Sequence, residues 1–351
     1  MRSTRRFAAL LGPMLVVGGV TACVPEPPAP KPPVIHSFDT AGGPFADPAV
    51  VPLSWEVSDP NGDDLTCRLD TDGDGSWELV LSPCQAAGSR NASVGEGTRT
   101  ATLEVSDGEH SVTATTDHSV TAGPTETYDI DARLVSASDA ALQAAIDEAV
   151  GRWEAVLARG VPDEVVTMAS GCLFAPGIDE LVDDIVVTVL ATELPSGYFG
   201  DAAPCADGSD GLPRFANVRI SEDIIDTWAT DGRLGDLLTH EFGHALGFGA
   251  PRWWAFLDGL GTDELTWTGP RGVAEWSALG GTGPIPMEPL NPDHWEERRF
   301  GTELMTCFVW GTSPLPMSAM TVAAMADIGY HVDLSAADPF TLPPLGPPGH
   351  C

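Results

Sequence analysis

The run Thr239-His240-Glu241-Phe242-Gly243-His244 sets two imidazoles four residues apart, with a carboxylate directly after the first. On an α-helix such positions share one face one turn apart, so both rings can reach a single tetrahedral metal. Glu241 leaves the helix at an adjacent angle, from which it can face water on the metal rather than the metal itself. Zinc suits neutral imidazole ligands and lowers the pKa of bound water toward about 7. A carboxylate beside that water can take its proton and later pass it to a leaving amine. The competing reading is a helix with two surface histidines. Against it, Leu237, Leu238, Phe242, Ala245 and Leu246 make this a core helix, and Gly247 and Gly249 end it. Structural zinc needs no base, so Glu241 points to hydrolysis.

A tetrahedral centre needs a third protein ligand. Gly247 extends the motif to H-E-x-x-H-x-x-G, which resembles the start of the metzincin pattern, but the position of that pattern's third histidine is held here by Ala250. The remaining downstream histidines are His294, His331 and His350. Asp293-His294-Trp295-Glu296, followed by Phe300-Gly301-Thr302-Glu303-Leu304-Met305-Thr306, resembles the ligand segment and methionine turn of the leishmanolysin-like metallopeptidases. In that family an insertion separates the glycine from the third histidine. Residues 267–289 resemble the insertion, 323–338 the family's C-terminal end, and 182–186 also fit; the resemblance spans about residues 127–338.

The resemblance implies an α+β zincin of the metzincin type. His240, His244 and His294 would hold one Zn2+ per chain, with Glu241 as base. Met305 would lie in the turn beneath the metal, packing without coordinating it. The implied activity is endopeptidase cleavage of protein or peptide substrates. On residue type alone Met305 is core filler, which fits that place. His331 and His350 read as structural or exposed. Trp253, Trp254, Trp267 and Trp276 either line the cleft or pack the insertion.

The chain has 351 residues, enough for two domains, with 51 Asp and Glu against 17 Lys and Arg. Its single lysine is Lys31, and the net charge of -34 repels phosphate backbones, which excludes nucleic-acid partners. Arg2, Arg5 and Arg6 precede an apolar stretch from Phe7 to Val20 that is short for a membrane span and reads as a cleaved export signal. Val20-Thr21-Ala22-Cys23 resembles a bacterial lipobox. That resemblance implies an exported lipoprotein: a signal over 1–22, a lipid anchor on Cys23 and a proline-rich spacer to residue 33. The alternative is an ordinary secretory signal with Cys23 a spare thiol. Six cysteines remain, Cys67, Cys84, Cys172, Cys205, Cys307 and Cys351. An even count in an oxidising compartment suggests three disulfides, of which neighbouring pairs are the simplest arrangement.

Residues 34–123 alternate Val, Thr and Leu with polar residues between turn signals, as an antiparallel sandwich does. LSWEVSDPNGDDLTCRLDTDGDGSWE and TATLEVSDGEHSV resemble immunoglobulin-like repeats of the polycystin type, which implies a spacer or adhesion module. Within it Asp70, Asp72 and Asp74 precede Gly75, as in the first half of a Ca2+ loop, but Leu81 stands at the twelfth position, so an acidic turn is the competing reading. From 124 to 338 the pattern becomes mixed α and β: a strand over 128–135, a helix over 138–159 stopped by Gly160, a buried strand over 185–190, an edge strand over 217–220, and helices over 234–246 and 318–328. A Pro/Gly-rich tail, 339–351, follows. Two alternatives to a peptidase are a surface adhesion lipoprotein with a non-catalytic zinc domain, and hydrolysis of a non-peptide amide by the same apparatus.

Overall fold

The computed structural model describes residues 30–40, 45–47, 49–308 and 313–346; Cys23, His350 and Cys351 lie outside them. The first part is all β. Strands Val34–Thr40, Ala49–Ser58 and Ala87–Val94 form one antiparallel sheet, with Ala49–Ser58 central. A second sheet orders Phe45–Ala46, Ser111–Thr121, Gly97–Ser106, Thr66–Asp70 and Leu79–Leu81. Alternation fixes which face is inside: Val51, Leu53, Trp55 and Val57 are buried while the residues between them are not. They pack with Leu69, Leu103 and Val105 into a core of their own, and a Cys67–Cys84 disulfide joins this core's edge.

The second part is mixed α and β around a separate, larger core. Its sheet contains β1 (Ile130–Leu134), β2 (Ile185–Thr192), β3 (Gly200–Asp207) and β4 (Pro213–Ser221), in the order β3-β4-β2-β1. β2 runs parallel to both neighbours and is buried on both faces over its first five residues, which explains its apolar, valine-rich sequence. The strand expected at the edge over 217–220 is β4, and it is interior. The edge on that side is β3, antiparallel to β4. Its sequence, GDAAPCAD, is poor in the β-branched residues that mark strands, and its proline is tolerated at an edge.

Helix α1 (Ala140–Val156) begins at Asp139, whose carboxylate accepts the Ala141 and Leu142 N–H groups. It stops at Val156, short of Gly160, because Leu157–Arg159 turns extended and pairs with His331–Val332. Helix α2 (Arg233–Ala245) packs on α1, and the Trp153 indole N–H donates to the Thr239 carbonyl at 2.7 Å. Helix α3 (Pro270–Ala278) packs on α4 (Ala319–Asp327). Buried Asp47 of the sandwich accepts Arg159 at 2.8 Å and His331 at 2.7 Å from the second part. His331 is therefore a structural contact between the two cores. No helix among the described residues is long and apolar enough to cross a membrane.

Candidate metal centre and cleft

Helix α2 carries His240 and His244 on one face, and the third histidine arrives from a separate segment. There Trp295 bridges Met287 on one side and Thr306 on the other. Its N–H donates to the Met305 carbonyl at 3.0 Å, and the His294 N–H donates to Asn291 at 3.1 Å. The three Nε2 atoms lie 3.0, 3.1 and 3.2 Å from one another. Zinc bonds of about 2.0–2.1 Å at tetrahedral angles put ligand nitrogens about 3.3 Å apart, so this triad has the spacing of one face of such a centre.

The opposite ring nitrogens fix the orientation. His240 Nδ1 is 2.7 Å from the Leu304 carbonyl and His244 Nδ1 is 2.9 Å from the Phe248 carbonyl. A carbonyl only accepts, so both Nδ1 atoms carry the proton and both Nε2 lone pairs face inward. Phe248 reaches His244 because Gly247 adopts φ 104°, a left-handed conformation that reverses the chain just past the helix. The glycine of the extended motif thus positions His244. Burial also keeps the donors neutral: it pushes His240 down to about 3, helped by the neighbouring His244, and it lowers His244 and His294 too. Neutral, buried, converging imidazoles are a donor set that fits zinc.

Met305 is fully buried beneath α2. A Cβ on Gly243 would stand 2.8 Å from both Met305 Sδ and Cε, so the helix accepts a glycine in its interior to let this side chain approach.

Glu241 lines the same cleft, of about 680 Å³, with the three histidines. Burial, then nearby Asp201, raises its carboxyl well above the usual range, which suits a group that must take up a proton. The carboxylate lies against Gly200, the first residue of β3; a Cβ there would stand 2.6 Å from its Oε1. Gly200→Ala should therefore displace the Glu241 carboxylate and little else. Under the hydrolytic expectation from the sequence, kcat/KM on a peptide substrate should fall about 10²-fold, the cost of roughly 1 Å of misplacement, with melting temperature unchanged. Unchanged kinetics would remove Gly200 from the site.

Gly200 to Pro204 of β3 line the cleft, as do Asn291, Asp293 and Phe308. At one end Phe199 packs on Trp228 with centroids 4.8 Å apart, and the Arg233 guanidinium sits 4.4 Å over the Trp228 ring. Sequence reading missed β3, Gly200 and this aromatic wall. Of the four tryptophans, Trp253, Trp267 and Trp276 are buried in the core rather than lining the cleft, and exposed Trp254 is not among the lining residues.

Cys172–Cys205 is a disulfide that ties β3 to the turn after Glu164–Ser170. Cys307 is also disulfide-bonded, and its expected partner, Cys351, lies outside the described residues. Asp70, Asp72 and Asp74 do come together, with Glu78 as an unforeseen fourth carboxylate. Both Asp70 oxygens are occupied by the Gly73 and Gly75 N–H groups, and Glu78 accepts from Thr71, as in an acidic turn.

No family model matches the chain, and no curated protein matches it. One solved structure that it resembles is the PKD domain of an M14-like peptidase from Thermoplasmatales archaeon SCGC AB-540-F20. The identity is 17%, the TM-score 0.21, and the match covers 26% of this chain and 99% of that one.

Proposed function

We propose that this protein is a zinc endopeptidase of the leishmanolysin-like, metzincin type. In this reading it is exported, tethered through a lipid on Cys23, and cleaves extracellular or periplasmic proteins. The observation that carries the reading is the convergence of three buried Nε2 atoms on one point, with a buried carboxylate from the same helix lining the cleft beside them.

When bound, zinc would activate water as a nucleophile and polarise the scissile carbonyl. His240, His244 and His294 would hold it, with the tautomers of the first two set by the Leu304 and Phe248 carbonyls. Glu241 takes the proton of the attacking water and delivers it to the departing amine. Its raised proton affinity lets it hold that proton between the two steps. The outer edge of β3 has no strand partner among the described residues, so an extended peptide can add to it by main-chain hydrogen bonds. Such binding favours unfolded segments over folded surfaces.

The test is incubation of the purified protein with unfolded casein, with and without a zinc-selective chelator, reading new N-termini by mass spectrometry. Internal cleavage that the chelator stops supports the reading. A metal-loaded protein that leaves casein and a diverse peptide pool intact contradicts it and favours the adhesion lipoprotein.

A further inference from the structure

Glu303 is fully buried, and no basic side chain pairs with it among the described residues. Such a carboxylate is costly unless several donors satisfy it. Here four do. Oε2 accepts the Met305 N–H at 2.7 Å. Oε1 accepts the Ser318 N–H at 3.1 Å, the Ser318 hydroxyl at 2.7 Å and the Thr321 hydroxyl. The carboxylate therefore clamps the turn at 303–305 onto the start of α4.

Both ends of that clamp lead to the histidines. The residue after Glu303 is Leu304, whose carbonyl orients His240. Met305, held through its own N–H, packs under Gly243 of the ligand helix and offers its carbonyl to Trp295, the neighbour of His294. The Trp295 indole N–H donates to the Thr321 hydroxyl at 2.8 Å, and that hydroxyl donates onward to Glu303. Two ligands on unrelated segments thus share one buried anchor.

We propose that Glu303 is a positioning residue for the metal centre: it sets His240 and His294 at coordinating distance through the Leu304 carbonyl and Trp295. The inference rests on the zinc reading above. Charge and acceptor count both matter to this role. A glutamine keeps the size, but its amide nitrogen cannot accept. In the least damaging orientation it turns that nitrogen onto the Met305 N–H, and two donors then face each other in a dry site.

The test compares wild type and Glu303→Gln for zinc dissociation constant by chelator competition, and for the visible spectrum of the Co2+-substituted protein. The expected result is affinity about 10- to 100-fold weaker and shifted Co2+ bands in protein that remains folded, the usual effect of disturbing groups that orient metal ligands. A role confined to packing would lower the melting temperature but leave the folded protein's affinity and spectrum at wild-type values, and that result overturns the proposal. If Glu303→Gln does not fold, Thr321→Val breaks only the Trp295 relay and one carboxylate contact. It should weaken zinc by about 10-fold, and wild-type affinity and spectrum in that variant overturn the proposal equally. Wild type that takes up neither metal sinks the zinc reading itself.

Discussion

Glu241→Gln is expected to lower kcat/KM on peptide substrates by about 10²–10⁴-fold, the usual contribution of a general base, while zinc affinity stays near wild type. Glutamine fills the same space against Gly200 but takes no proton at neutral pH. The ligands on the same helix keep their carbonyl partners. A second effect separates this residue from a passive cleft carboxylate. Burial raises the Glu241 pKa in the folded protein above its unfolded value of 4.5. A carboxyl with a raised folded pKa adds stability below the unfolded pKa, and that contribution is lost as pH rises through the folded pKa. At pH 7 the buried group therefore weighs against folding, and the neutral amide removes that burden. Metal-free Glu241→Gln should melt above metal-free wild type at pH 7, with the gap closing toward pH 4. Retained activity would show that another group is the base.

His294→Ala is expected to strip the centre of its metal. Zinc sites contribute roughly 10–16 kcal/mol over four ligands, so one lost imidazole should weaken binding by about 10²–10³-fold. The informative control is His331→Ala. His331 is the other described histidine downstream of the motif, and its ring pairs with Asp47 in the contact between the two cores. That variant should leave metal content unchanged. Zinc loss from His331→Ala, or full zinc in His294→Ala, would mean that the ligand set is wrong.

The two histidines of α2 and their glutamate were legible in the sequence because their relation is local. Helical spacing alone puts them on one face, and Gly247 signals the reversal that seats His244. His294 is fifty residues past His244, and no periodicity connects them; only resemblance across the insertion did. Helix α1 and strand β2 were legible from apolar period and burial. Helix α1 was expected to run three residues past its C-terminal end because the pairing that unwinds that end comes from His331–Val332, far along the chain. Strand β3 was invisible for a chemical reason: Gly, Ala, Asp and Pro carry little strand signal, and this strand exists because β4 and the Cys172–Cys205 bridge hold it. Glu303 sat in a quoted motif without a role, since four donors converging on one carboxylate is a property of the fold.

The most direct test of the central claim is hydrolysis measured against zinc occupancy. Metal is removed from the purified chain, zinc is returned in sub-stoichiometric steps, and cleavage of a fluorogenic peptide is followed at each step. The account predicts no cleavage without metal, a linear rise, and a plateau at one zinc per chain. Cleavage that persists in the metal-free protein, or one tightly bound zinc with no cleavage of any peptide, would contradict it.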